Sequence, residues 1–148
     1  MAAKPAEKAP EPKKEVVPEP VARMIANFNR VNFEFNSSDL GSTSRSALME
    51  NVELMRKNPS VKIEIQGHCD ERGTSEYNLA LGDRRAQAVV DYMVRAGIEQ
   101  ARLTRLSYGK ERPLEEVATE TAWAKNRRAE FRVTWKPQEL ADLHGSTE

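Results

Sequence analysis

A single cysteine, Cys69, stands among the 148 residues, so the chain cannot close an internal disulfide. A lone thiol does not fix the compartment, because a buried one survives in oxidising and reducing surroundings alike. Excess charge of one sign is also missing. The 23 basic and 23 acidic residues cancel, and no basic run exceeds two residues. Nucleic-acid recognition needs clustered positive charge, so nucleic acid is not an expected partner. No apolar run approaches the ~20 residues of a membrane-spanning helix, and there is no signal-peptide core. A Gly-rich phosphate loop is absent too, which argues against a doubly wound nucleotide-binding fold. No cofactor is called for. The length suits one ordinary domain with a tail.

What is present divides unevenly. Residues 1–22, MAAKPAEKAPEPKKEVVPEPVA, hold five of the eight prolines, four lysines and four glutamates. Such a composition buries too little apolar surface to offset ordering entropy, so residues 1–22 are expected to form a disordered linker. Its reach lies between roughly 25 Å as a flexible coil and about 70 Å as polyproline II. Residues 23–136 form the expected domain, and residues 137–148 a flexible tail.

Within the domain, VNFEFN alternates Val31, Phe33 and Phe35 against Asn32, Glu34 and Asn36, the pattern of a half-buried strand. Ser42 or Thr43 can cap a helix running to about Lys57, with Leu48, Val52 and Met55 inward and Asn58-Pro59 as its stop. VKIEIQGH alternates again. After the DERGT turn, Thr74 can cap a second helix ending at Gly97. Thr104, Leu106 and Tyr108 mark a third strand, GKERPL a loop and ETAWAKN a short helix. Ala129, Phe131, Val133 and Trp135 form one face of the last strand. Because all four strands alternate, one sheet face should be packed and the other wet. This predicts an α+β fold: a two-layer sandwich with a mixed four-stranded sheet and two main helices on one face, in the order β-α-β-α-β-β, with a short extra helix before the last strand. The first two strands suit a parallel crossover.

One residue breaks the pattern. In the second helix Leu81, Ala88, Val89, Tyr92 and Ala96 share a stripe, and Arg85 falls in its middle, while Asp83, Gln87 and Asp91 take the wet side. An unpaired guanidinium on a dry face would cost several kcal/mol. Arg85 can bend outward with its stem packed, pair with a carboxylate inside the chain, or lie at an open end of the helix layer and receive an external anion. The neighbouring turn favours a site: Asp70 follows a strand end, and Asn78 lies two helical turns before Arg85. A carboxylate, a carboxamide and a guanidinium around one mouth suit a zwitterionic ligand, its carboxylate on the guanidinium fork and its ammonium on Asp70.

Catalytic and metal-binding readings of HCDE are weaker. Consecutive strand residues point to opposite faces, so His68 and Cys69 are poorly placed to share an ion, and the only other histidine is His144. No metal site is expected. Adjacency does not make His68 and Cys69 a nucleophile–base pair, and Asp70 and Glu71 cannot flank a glycosidic bond from two sides. The expected class is a binding module and not an enzyme.

GHCDERGTSEYNLALGDRRAQAVVDYM, then SYGKERP, then KNRRAEFRV resemble, in order, the peptidoglycan-binding domain of OmpA-type proteins, most nearly its Tol-associated lipoprotein branch. The resemblance spans roughly residues 28–135. It implies an OmpA C-terminal-like fold and non-catalytic binding of the peptidoglycan stem peptide, gripped at the carboxylate and ammonium end of diaminopimelate. By motif position it implies Asp70 and Arg85 as a charge clamp, Asn78 and Arg127 as supporting donors, and Leu81 as apolar neighbour. A salt bridge fastening the last loop is the competing role for Arg127. Asn36 stands where such lipoproteins usually carry aspartate, and an amide there brings no charge. At Cys69 those relatives often have a small or hydroxyl residue, and a shielded, unreactive thiol is expected.

The resemblance also implies a periplasmic location, attachment to the outer membrane through a lipid anchor, and a TolB-like periplasmic protein as possible partner. A porin or flagellar-stator wall anchor would share the domain. The acylated cysteine and lipobox do not occur in this chain; Met1 ahead of a Pro/Lys/Glu linker is the pattern expected when signal peptide and anchor have been removed.

Overall fold

The computed structural model describes residue 17 and residues 19–135. The expected tail, residues 137–148, and most of the expected linker lie outside the described residues. The linker boundary needs correction. Helix α1, Glu19–Asn27, begins inside it, because Val21 and Met24 are one turn apart and both enter the core at 1% exposure. Pro20 sits in the first turn, where its missing N–H costs nothing. The expected element order had no helix here.

Strand β1 is only Val31–Asn32. The anticipated strand to Asn36 stops early because the chain turns: Ser37 N–H donates to Glu34 O at 3.2 Å, and Asn36 takes a left-handed φ of 57°. Asparagine tolerates that region better than most side chains. Phe33 still reaches the core, but Phe35 is thrown outward and is 57% exposed, contrary to its place in the alternation.

Helix α2, Ser42–Lys57, buries Leu48, Val52 and Met55 as the spacing requires. Its cap is Gly41, without a side-chain hydrogen bond, and not Ser42 or Thr43. The nearby Ser44 hydroxyl instead donates to Asn32 O at 3.0 Å, tying helix to strand. Buried Asn51 donates to Asn29 O and accepts from its N–H, fastening the α1–β1 link.

Strand β2 is Lys62–His68, helix α3 Ser75–Arg95, strand β3 Leu103–Gly109, helix α4 Glu120–Asn126 and strand β4 Arg128–Thr134. A 3₁₀ turn, Gln100–Arg102, precedes β3. The sheet order is β1-β4-β2-β3, with β4 antiparallel to both β1 and β2 and β2 parallel to β3. The first two long-range strands therefore run the same way, as a crossover requires, but β4 lies between them. Register aligns Ile63 with Val133 and Ile65 with Phe131, so these four side chains share the face that α2 and α3 cover. Strand β3 has the opposite phase from that expected. Leu103 faces the core, whereas Leu106 pairs with Gln66 on the open face and is 38% exposed.

Thr74 caps α3 by accepting from Tyr77 N–H at 3.0 Å, and Gly97, at φ 104°, takes the chain out of the helix. Helix α3 comes nearest β2 where Gly82 faces Gly67. One turn further on, that close approach sets Arg85 against the end of β2.

Candidate functional site

The loop from Cys69 to Thr74 joins β2 to α3 and is held from several sides. Cys69 N–H donates to Gly109 O at 2.8 Å, and Lys110 Nζ donates to Gly73 O at 2.6 Å. Asn78, 2% exposed, donates from its amide to Arg72 O at 2.8 Å and Thr74 O at 3.0 Å. Its donors are thus spent in shaping the loop. Cys69 Sγ donates to Asn78 O at 3.2 Å, and burial raises the thiol's pKa. A buried, protonated thiol is a poor nucleophile.

Arg85 is 1% exposed. It neither bends to solvent nor pairs with a carboxylate among the described residues. Three backbone carbonyls hold it: Nε donates to Ser37 O at 2.8 Å, Nη1 to His68 O at 2.9 Å and Nη2 to Glu34 O at 3.0 Å. The guanidinium therefore clamps the 34–37 turn to the end of β2, a structural duty that the stripe position alone did not reveal. The carbonyls take one N–H of each nitrogen, three of five, and leave its charge uncancelled. Burial accordingly depresses its pKa.

Asp70, 4% exposed, is already occupied. Its Oδ1 accepts from Arg72 N–H at 3.0 Å and Arg72 Nε at 3.2 Å, and its Oδ2 from Arg72 Nη2 at 2.8 Å. Arg127 Nη1 lies 3.6 Å from Oδ2 as an ion pair without a hydrogen bond. Burial by itself would raise the Asp70 carboxyl; the Arg72 hydrogen bonds and the two neighbouring charges outweigh it and hold the carboxyl below its ordinary value. Arg72 is in turn sandwiched between aromatic rings, 4.1 Å from the Phe35 centroid and 3.9 Å from that of Trp123. Trp123 Nε1 donates to Glu71 at 2.9 Å.

These groups surround a cavity of about 180 Å³. Five of the six residues singled out from sequence line it: Asn36, Asp70, Asn78, Leu81 and Arg85. Arg127 does not. It stands behind Asp70, donates from Nε to Phe33 O at 2.9 Å and pairs with Glu120 at 3.2 Å, and it lines a neighbouring groove of about 570 Å³ between β1, α2 and α4. Cys69, Gly73, Arg72, Phe35 and Tyr77 complete the smaller cavity, and the last three were not anticipated there. Arg72 lies two residues beyond Asp70, a spacing at which an arginine can return to an aspartate; Phe35 read as core. Two guanidiniums, Arg72 and Arg85, thus line the cavity against the single carboxylate of Asp70, a balance that favours an anionic group there.

The architecture defines a two-layer α+β domain with a small cationic cavity where β2 enters α3. Residues 32–127 match the OmpA family, and the chain belongs to it. It is 41% identical over 101 residues to the peptidoglycan-associated lipoprotein of Brucella melitensis, covering 68% of this chain and 60% of that protein. With the protein of the same name from Pseudomonas aeruginosa it shares 44% identity over 114 residues, 77% of this chain and 66% of the relative. The chain thus spans about 60% of the length of the first curated relatives it matches. The crystal structure of the peptidoglycan-associated lipoprotein from Burkholderia pseudomallei superposes with a TM-score of 0.69 at 39% identity, over 71% of this chain and 89% of that one. The C-terminal domain of Helicobacter pylori MotB shares the fold, with a TM-score of 0.69 at 20% identity, over 79% of this chain and 92% of that one.

Proposed function

We propose that the domain binds peptidoglycan without chemistry, holding the diaminopimelate end of the stem peptide in the cavity between Asp70 and Arg85. One observation carries the reading: Arg85 is buried in the cavity wall with one N–H of each nitrogen bonded to a carbonyl and no carboxylate paired to it among the described residues. A ligand carboxylate would supply that missing charge where water is partly excluded. Family membership and the names of the relatives point the same way. In the whole protein this binding would tether the outer membrane to the wall from the periplasm, through a lipid anchor and as part of a Tol–Pal-type system.

Calorimetric titration with two stem peptides tests the reading, one with diaminopimelate and one with lysine at the third position. Lysine lacks the side-chain carboxylate assigned to the cationic cavity. Binding of the first and clear weakening of the second is the expected result. Failure of both to bind would overturn it and leave the cavity rim, with exposed Phe35 and Tyr77, as a surface for a TolB-like protein.

A further inference from the structure

The carboxylate assigned to the ligand's ammonium is already fully engaged in the free protein. Both Asp70 oxygens accept from Arg72, at 2.8 to 3.2 Å, and only 4% of Asp70 is exposed. Arg72 side-chain atoms reach no acceptor other than Asp70 among the described residues, and a third of that side chain is exposed. Among the charged groups lining the cavity it is the most accessible and the one that could leave. The Arg72 backbone N–H would keep its own bond to Asp70 Oδ1 while the side chain moved.

We propose that Arg72 is a built-in stand-in for the ligand's ammonium and a specificity-determining residue of the site: only a ligand presenting an ammonium and a carboxylate together displaces it. This rests on the peptidoglycan reading and goes one step further. A displaced guanidinium loses its two-oxygen partner, and the nearby acids replace it only in part. Glu71 keeps its charge but offers no second buried oxygen pair, and Glu120 is shared. Glu71 accepts from Trp123 Nε1 at 2.9 Å, and Glu120 is paired with Arg127 at 3.2 Å. The Phe35 and Trp123 faces can keep Arg72 stacked, but they offer a quadrupole and no full charge. A simple amine entering at Asp70 would leave Arg72 less well compensated beside Arg85, with only Glu71 and the shared Glu120 nearby. A ligand bringing its own carboxylate restores the balance as it takes Asp70. Discrimination then comes from a poorly compensated charge imposed on the wrong ligand.

The test is a calorimetric comparison of the wild-type protein with Arg72→Met, which keeps the aliphatic stem, and Arg72→Gln as a second variant. Thermal unfolding verifies that each variant folds. Three stem tripeptides serve as probes: diaminopimelate, lysine, and diaminopimelate acetylated on its side-chain nitrogen. Removing the stand-in should tighten the diaminopimelate peptide by about tenfold, since a closed state no longer taxes binding. It should also narrow the preference over the lysine peptide and give no gain with the acetylated one. Unchanged or weaker binding by both variants, with the wild type still binding, overturns the stand-in and spares the peptidoglycan reading. An equal gain with the acetylated peptide likewise overturns it, because the cavity would merely have been opened. If no protein binds any probe, both readings fall.

Discussion

Gly67 of β2 and Gly82 of α3 meet backbone to backbone. A Cβ on Gly67 would stand 1.8 Å from Gly82 O, and one on Gly82 would stand 2.3 Å from Ser107 Oγ. The helix can seat Arg85 against His68 O only because no side chain separates strand and helix one turn earlier. Gly67→Ala must push backbone away, whereas Gly82→Ala first meets a serine hydroxyl that can rotate. Overpacking of this kind costs about 1–3 kcal/mol or more, and Gly67→Ala should lie at or above the upper end. Urea unfolding of both variants measures it; a smaller loss for Gly67→Ala than for Gly82→Ala would contradict the contact.

Arg85→Lys keeps the charge and loses the fork. Three carbonyls from two segments, Ser37, Glu34 and His68, share one guanidinium, and a single ammonium cannot reach all of them in the same geometry. Hydrogen bonds to charged groups contribute about 1.5–3 kcal/mol each, so the variant should lose about 2–4 kcal/mol in denaturant unfolding. Stem-peptide affinity should fall by more than tenfold, since the 34–37 turn forming one cavity wall loosens as well. Near-wild-type values in both measurements would sink the clamp.

The fold was legible where one physical signal dominated. Alternation placed β2 and β4, the 3.6-residue stripe placed α2 and α3, and Thr74 announced the start of α3. It failed where a local signal competed with a tertiary one. Val21 and Met24 were hidden in a proline-rich stretch whose composition spoke for disorder. Phe35 continued an apolar alternation until Asn36 turned the chain. In β3 Leu106 and Tyr108 mark the open face, where Tyr108 stacks on His68 at 5.3 Å, and no periodicity distinguishes one face from the other. For the site, sequence supplied half of the residues lining the cavity, and neither Arg72 with its aromatic neighbours nor the partners of the rest. That Arg85 bonds to carbonyls and Asp70 to Arg72 depends on a turn some fifty residues distant and on a side-chain path.

His68 gives the domain a pH dependence. It is 2% exposed with neither ring nitrogen hydrogen-bonded among the described residues, and burial, reinforced by the Arg128 charge, lowers its pKa from 6.5 to about 4. Between those values the unfolded chain binds the proton and the folded one does not, so stability is full above pH 6.5 and declines as pH falls toward 4. The loss is on the order of 3 kcal/mol. Asp70, whose carboxyl is held low, adds its own loss only below its unfolded value of 3.8. His68→Phe retains a ring against Tyr108 without the titration. Its unfolding free energy should be flat from pH 7 to 5 where the wild type slopes, and parallel curves for the two proteins would refute the assignment.

Asn36 offers the cleanest separation of binding from folding. Its φ of 57° suits aspartate nearly as well as asparagine, and it lines the cavity from an exposed turn. Asn36→Asp should therefore leave stability within about 0.5 kcal/mol. It adds a negative charge to a cavity where Arg72 and Arg85 face one carboxylate, Asp70. A ligand ammonium gains a second counter-charge, while the Arg72 guanidinium, if displaced, gains a resting place that asks nothing of the ligand. Affinity for the diaminopimelate peptide should rise a few-fold, and affinity for the lysine peptide should rise more, because the penalty on carboxylate-free ligands is relieved. Titration of both peptides against the variant reads the two effects separately. Equal gains would mean that Asn36→Asp acts only through general attraction for ammonium groups.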